Sequence, residues 1–374
     1  MKIGITCYPT YGGSGVVATE LGLELAKRGH EVHFISYSMP FRLKHFQEHT
    51  VFHEVQVLNY PLFQYPPYTL ALAAKQAEVA DEVGLDILHA HYAVPHAVCA
   101  YLARQVARSK KLRVATTLHG TDITLVGADR SFHSLTRFGI ERSDGVTAVS
   151  EYLRRRTVEV FAPDRDIEVI PNFVDTARFA PGRGVGCKRD WFALKGEKII
   201  VHISNFRQTK RTPEIVSAFA AIRAQVPAVL LMVGDGPDRT RCRDVAVELG
   251  VERKVRFLGQ VDDVEDVLCV ADLFMLASEN ESFGLAALEA MSMGVPVVAT
   301  TAEGLPELVQ DGVTGHLVPV GDVGAMARRG IEILGDPARH GDLSAAARRT
   351  AVERYDVARV IPVYEKFYET IVGR

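Results

Sequence analysis

Cysteine is scarce in this 374-residue sequence, and long apolar runs are missing altogether. Five cysteines (Cys7, Cys99, Cys187, Cys242 and Cys269) are odd in number, scattered and without a C-x-x-C pair, a pattern that fits free thiols in a reducing compartment. No apolar stretch approaches the ~20 residues of a membrane span, and "MKIGITC" opens directly into a strand-like run. Neither a signal peptide nor an anchor is therefore expected, and the reading places the chain in the cytoplasm. A surplus of positive charge is missing too. Against 43 Lys and Arg stand 46 Asp and Glu, a net charge of −3, so the basic field that dominates nucleic-acid binding is absent. What the composition does supply is 47% hydrophobic residues, enough in a chain of this length for two domains with full cores.

One more absence is local. "GSGVVA" (Gly13 to Ala18) matches the dinucleotide-binding pattern G-x-G-x-x-[GA], with a strand-like run before it and helical spacing after it. A dinucleotide site also needs an acidic residue at the far end of the second strand to grip the ribose, and "EVHFISYS" ends there in Ser36, Tyr37 and Ser38. Glu31 is at the wrong end. The loop reads instead as a glycine-lined row of backbone N–H groups at a helix N-terminus, open to an anionic ligand whose identity the rest of the chain must supply.

Apolar strand-like runs alternate with helical patterns throughout. Strands are expected at 2–7, 32–36, 51–57, 87–89, 114–118, 145–148 and 168–170, and again at "IIVHIS", "AVLLMVG", "VRFLG", "DLFMLAS", "VPVVAT" and "GHLVPV". Such runs, apolar on both faces, predict parallel sheets covered by helices: an α/β chain of two doubly wound, Rossmann-like domains facing a central cleft. The boundaries expected are 1–170 and 197–354, joined by a Gly- and Pro-rich linker over 171–196. A closing helix over 355–374 packs on one of the domains. In such sheets ligands lie beyond the carboxyl ends of the strands.

The chemistry is densest in "NESFGLAALEAMSMGVPVVAT". Glu281 stands eight positions before Glu289, and a helix beginning near Phe283 would aim backbone N–H groups at a phosphate while the carboxylates take hydroxyls. A nucleotide-sugar demands that combination, although two glutamates on a solvated helix face would read the same way. "ESFGLAALE", "GDGPD" after a strand, "TLHGTD" after another, "PNFVD" at the linker and "GGSG" after the first strand occur in one order along nearly the whole chain. Together they resemble the retaining glycosyltransferases of family 4, which have the GT-B fold. "GITCYPTYGGSGVVATELG", "HAHYAVPHAVCAYLA", "TTLHGTDIT" and "SNFRQTKR" resemble in particular the branch that makes N-acetylglucosaminyl-L-malate, the first step of bacillithiol biosynthesis.

The resemblance implies UDP-N-acetylglucosamine as donor and the hydroxyl of L-malate as acceptor, with retention at the anomeric carbon. It implies that Lys210 and Arg207 meet the diphosphate, that Glu289 holds the ribose, and that Glu281 with the N–H groups of Phe283, Gly284 and Leu285 holds sugar and phosphate. Gly13, Gly15, Asn205, Gly234, Asp235 and Gly236 complete the donor loops. Many family members carry arginine where Asn205 stands, so Arg207 is the candidate second cation. His119, at a strand's carboxyl end, would bond the transferred sugar; a polar loop residue is the plain alternative. For the acceptor, Ser14, Arg42, Tyr92, Thr121 and Arg137 are the candidates, and Arg137 could equally be a solvated helix residue.

His89, His91 and His96 raise a metal site, but no cysteine or carboxylate completes a ligand set, and the one D-x-D, Asp164 and Asp166, falls in a surface-like turn. The expectation is transfer without a metal or other cofactor, with cations and helix N-termini stabilising the leaving group. No residue announces itself as a carboxylate nucleophile, which favours front-face substitution. Two other classes stay open: a lipid-acceptor enzyme using "FRLKHF" and Arg154 to Arg156 as a membrane surface, and a non-transferring UDP-sugar binder or epimerase. No stable membrane association is expected, and a homo-oligomer is left open.

Overall fold

The computed structural model describes residues 1–43, 47–58, 61–183 and 187–373. The chain divides into two compact units, Met1–Pro171 with the residues from Val360 onward, and Asn172–Arg359.

In the first unit seven parallel strands carry the core: β1 (Lys2–Thr6), β2 (Glu31–Ser36), β3 (Thr50–Glu54), β4 (Ile87–His91), β5 (Arg113–Leu118), β6 (Gly145–Ala148) and β7 (Glu168–Val169). The connections are α1 (Gly13–Lys27), α2 (Tyr68–Val83), α3 (Val98–Val106), α4 (Thr121–Thr124), α5 (Arg130–Arg142) and α6 (Glu151–Phe161). Spatial order is β3-β2-β1-β4-β5-β6-β7, so the winding reverses between β1 and β4. Ile3, Ile5, Phe34, Ile87 and Val114 are fully buried, because helices cover both sheet faces and leave no solvent side to alternate with. Exposure is concentrated on the edge strands β3 and β7.

The second unit repeats the plan with β8 (Lys198–Ile203), α7 (Thr212–Arg223), β9 (Ala228–Val233), α8 (Arg239–Glu248), β10 (Val255–Gly259), α9 (Glu265–Leu268) and β11 (Leu273–Leu276). It continues through α10 (Leu285–Ser292), β12 (Val297–Thr300), α11 (Leu305–Leu308), β13 (Gly315–Val318), α12 (Val323–Gly335) and α13 (Pro337–Tyr355). Its order, β10-β9-β8-β11-β12-β13, reverses between β8 and β11. The closing helix α14 (Val357–Val372) returns to the first unit from Val360. There the Tyr368 hydroxyl lies 2.8 Å from His89 Nδ1, and Glu365 pairs with Arg28 at 2.8 Å. Gly145 lets it pack closely, since a Cβ there would fall 2.5 Å from the Ile371 side chain.

The segment expected as a linker groups with the second unit from Asn172. Side chains fasten it: Arg178 binds Glu265 at 2.7 Å, and Arg189 binds Asp272 at 2.5 Å. The free-thiol reading is corrected here for one pair. Cys187 and Cys269 form a disulfide with their Cα atoms 5.7 Å apart, joining that segment to the residue after α9. Eighty-two positions separate the two in sequence, and only the fold brings them together. Cys7, Cys99 and Cys242 are free and buried, and burial pushes the Cys7 and Cys99 thiols up to about 12, which makes them poor nucleophiles.

Candidate functional site

In a doubly wound sheet the crevice opens where the winding reverses, at the carboxyl ends of the two central strands. In the first unit those are the ends of β1 and β4. The chain leaves β1 through 7–12 and enters α1 at Gly13 with no side-chain cap, so the first N–H groups of α1 have neither an intrahelical acceptor nor a capping oxygen. Gly15 has a different reason than the one expected of it: a Cβ there would sit 2.5 Å from the Tyr8 carbonyl oxygen and 2.8 Å from that of Thr10. The loop folding back on its own helix requires glycine, whether or not a ligand comes near.

Tyr92, directly after β4, holds a left-handed backbone (φ 99°) that turns its ring toward α1, where its hydroxyl meets Ser14 Oγ at 2.8 Å. Thr121, the first residue of α4, stands beside that hydroxyl, where it works against the rise in the hydroxyl's pKa. Three of the five acceptor candidates thus converge. Burial, with the Asp122 carboxylate nearby, pushes the Tyr92 hydroxyl up to about 12, so it stays a neutral donor and acceptor.

Asp122 is the residue the sequence reading passed over, although it stands in the quoted "TLHGTD". It is buried, and it accepts from the backbone N–H groups of Ala93 (3.0 Å), His119 (3.1 Å) and Gly120 (2.9 Å). The turn after β4 is thereby tied to the turn after β5. Burial raises its carboxyl to about 6, against the lowering effect of those N–H groups. His119 is no isolated loop residue. Its Nε2 lies 2.8 Å from Nδ1 of His91, and burial holds its ring neutral, down to about 3.

The histidines proposed for a metal are turned to other partners. His89 meets Tyr368 and Thr117, both at 2.8 Å, His91 meets His119, and His96 Nδ1 meets the His91 carbonyl oxygen at 2.5 Å. Among the described residues no group of three His, Cys, Asp or Glu side chains is arranged to hold a metal ion.

The Arg42 guanidinium pairs with Glu20 of α1 at 3.1 Å, with 7% of its side chain exposed, so its charge is already balanced within the first unit. Arg137 does not join the Tyr92 cluster either: 47% exposed on α5, it pairs with Glu141 one turn on at 2.8 Å. Of the alternative membrane surface, Arg154 and Arg156 are matched by Glu151 and Glu159 within α6, while Lys44, His45 and Phe46 lie outside the described residues.

In the second unit the crevice lies at the ends of β8 and β11. The turn after β8 carries Asn205, Phe206 and Arg207 into a short 3-10 turn, Gln208–Lys210. Lys210 Nζ lies 2.6 Å from Glu281 Oε2, which also accepts from Ser278 Oγ at 3.3 Å. Arg211 pairs with Glu279 at 3.0 Å, and the Glu279 N–H donates to the Thr209 carbonyl at 2.9 Å, so the two loops are laced together. Arg207 is exposed, and among the described residues no carboxylate pairs with it. This turn thus offers one cation held by a carboxylate and one free.

Glycines close the floor. Gly234 and Gly236 have φ of 112° and 154°, and a Cβ on them would fall 1.8 Å from the Ser204 carbonyl oxygen and 2.1 Å from that of Asn205. Asp235 stays at the rim, bonded to the Gly236 N–H at 2.9 Å and to Arg239 at 3.2 Å. Gly284, with φ 94°, opens α10 without a side-chain cap, leaving the N–H groups that begin with Leu285 unclaimed inside the helix. The Phe283 ring is buried edge-on against Tyr355, so only its backbone faces outward chemistry. Glu289 is only 5% exposed, which removes the solvated-helix alternative for it.

Two family models match the chain: "Glycosyltransferase Family 4" over residues 11–178 and "Glycosyl transferases group 1" over 188–350. N-acetyl-alpha-D-glucosaminyl L-malate synthase of Bacillus anthracis is 48% identical over 372 residues, covering 100% of this chain and 97% of that protein. A GDP-mannose-dependent alpha-(1-6)-phosphatidylinositol monomannoside mannosyltransferase of Mycolicibacterium smegmatis is 30% identical over 77% of this chain and 79% of its own length. Among solved structures, Anabaena Alr3699/HepE in complex with UDP and glucose superposes with a TM-score of 0.84 at 22% identity, covering 99% of this chain and 100% of that one. At that identity the likeness speaks for the fold, two doubly wound units of the GT-B type.

Proposed function

The chain belongs to the family 4 glycosyltransferases, and from that premise we propose that it moves N-acetylglucosamine from UDP-N-acetylglucosamine to the hydroxyl of L-malate. The observation that carries the proposal is the full-length likeness to the Bacillus anthracis synthase, whose name states both the sugar and the acid. In this reading the second unit holds the donor. Glu289 accepts the ribose hydroxyls, the N–H groups opening α10 meet phosphate, and Lys210 with Arg207 faces the diphosphate, whose charge grows as the glycosidic bond breaks. Glu281 sets the position of Lys210 and presents its remaining lone pairs to the sugar.

The first unit holds the acceptor. Ser14, Tyr92 and Thr121 form a cluster of neutral hydroxyls suited to malate, with the uncapped start of α1 beside Ser14 to meet a carboxylate. Arg137 is the candidate cation for the other carboxylate, since a solvent-exposed i,i+4 pair is weak and readily exchanged for a better partner. His119, neutral at its carboxyl-end position, offers a hydrogen bond to the transferred sugar.

The chemistry proposed is front-face substitution. The leaving phosphate oxygen takes the proton of the malate hydroxyl while the bond to the phosphate breaks and the bond to the malate oxygen forms on the same face. No enzymic nucleophile or divalent metal takes part. Incubation with UDP-N-acetylglucosamine and L-malate, followed by mass spectrometry of the product and assay of UDP, tests the proposal. N-Acetylglucosaminyl-malate is the expected product, and donor consumption confined to lipid or sugar acceptors would replace it.

A further inference from the structure

His202 stands inside the apolar run "IIVHIS" on β8, where nothing in the sequence marks it, and its ring is fully buried. Its Nδ1 lies 2.8 Å from the Met275 carbonyl oxygen of β11. A carbonyl only accepts, so Nδ1 carries the hydrogen. Burial, with the Lys210 charge adding to it, holds the ring down at about 4, so a single proton is present and Nε2 offers a lone pair. Ser204 Oγ, 2.8 Å from Nε2, must then donate. The serine oxygen keeps its own lone pairs for the Phe206 N–H at 3.3 Å. The direction of every bond follows: Phe206 N–H to Ser204, Ser204 O–H to His202, His202 Nδ1–H to Met275.

The residue at the end of this chain needs holding. Phe206 is a non-glycine residue with φ 41°, a conformation that costs energy and persists where surroundings impose it. Its carbonyl is pinned as well, by the Asp238 N–H at 3.0 Å. Immediately after it come Arg207 and the turn bearing Lys210. The far end of the chain rests on β11, the strand that leads to Ser278 and Glu281. One hydrogen-bond path therefore links the two strands on either side of the winding reversal and sets the turn between them.

We propose that His202 is a positioning residue for the donor site, acting through Ser204 and the strained Phe206 turn to aim Arg207 and Lys210. The inference rests on the reading of that turn as the diphosphate site. It makes Ser204 the most informative substitution, because Ser204→Ala removes one hydroxyl and leaves the fold's packing intact.

Steady-state transfer kinetics on four single variants and one double variant, with UDP affinity by calorimetry alongside, test it. Ser204→Ala and His202→Phe are each expected to lower kcat about tenfold, with the KM for UDP-N-acetylglucosamine within about threefold. His202→Gln, which keeps an acceptor near the Nε2 position, is expected to hold the loss to about threefold. The deciding arm is Lys210→Ala combined with Ser204→Ala: a residue acting through Lys210 has little left to lose, so the further drop is threefold or less. A full tenfold further drop would make the role merely structural, and an unchanged kcat in Ser204→Ala would overturn the proposal outright. Failure of the functional reading is seen separately, in a wild type that does not transfer to L-malate. The same variants are then compared by UDP affinity, where Ser204→Ala weakens binding about threefold if the turn is positioned as inferred and leaves it unchanged if not.

Discussion

Replacing Lys210 by alanine perturbs the proposed donor site in two ways that can be separated. The contact it would make to the leaving diphosphate is a charge-assisted hydrogen bond worth about 1.5 to 3 kcal/mol, or roughly 10- to 150-fold in rate. Removing it also strips Glu281 of the cation 2.6 Å away and leaves that carboxylate with the Ser278 hydroxyl at 3.3 Å. An unbalanced anion then stands where an anionic leaving group must form. Both effects act most strongly in the transition state, so kcat is expected to fall about a hundredfold or more while UDP affinity falls less than tenfold. Glu281→Gln added to Lys210→Ala is expected to recover about fivefold of that loss by removing the stranded charge. The assay is coupled UDP release at saturating acceptor, with UDP binding followed by calorimetry. Turnover within threefold of wild type in Lys210→Ala, or a loss seen only in KM, would refute the reasoning about the pair.

The acceptor side is tested by Tyr92→Phe, expected to raise the malate KM about fivefold for one neutral hydrogen bond lost, and by Arg137→Ala, expected to raise it at least about tenfold, with the donor KM within threefold in both. Unchanged malate kinetics in Arg137→Ala would assign that residue to its solvated pair with Glu141. Transfer is expected to persist in excess EDTA, measured by product formation; complete loss restored by Mg²⁺ or Mn²⁺ would contradict a metal-independent step. Asp122 gives a pH signature. Its carboxyl is raised to about 6 from its ordinary value of 3.8, so the folded chain binds a proton that the unfolded chain lacks across that window. This contribution to stability is present below about pH 4 and is lost as pH rises through about 6. The stability difference between wild type and Asp122→Asn, from thermal unfolding, should therefore shift against the wild type between pH 4 and 7, and a constant difference would show that Asp122 titrates normally.

The sheets were legible in the sequence because parallel strands buried on both faces leave continuous apolar runs. The expected strand at 145–148 and the six runs of the second half coincide with β6 and β8 to β13. The loop glycines were legible for a similar reason, since Gly234, Gly236 and Gly284 stand where positive φ or a close backbone leaves room for nothing else. Side-chain destinations were not. Arg42 and Arg137 look alike in sequence, yet one is packed against Glu20 and the other lies exposed beside Glu141. The pairing of Cys187 with Cys269, the three N–H groups gathered by Asp122, and the path from His202 to Phe206 depend on segments that meet only after folding. His202 in particular was hidden by its neighbours, because a histidine inside an apolar run reads as one more core position.

The central claim is the identity of the acceptor. The most direct measurement is UDP release from UDP-N-acetylglucosamine by the purified chain against a panel of L-malate, D-malate, succinate, glycerol phosphate, simple sugars and phosphatidylinositol vesicles, with mass analysis of each product. Release is expected to depend on L-malate and to yield a product heavier than malate by one N-acetylhexosamine residue, with succinate inert because it has no hydroxyl to accept the sugar. Release that is indifferent to L-malate, or that follows the vesicles or the sugars instead, would contradict it.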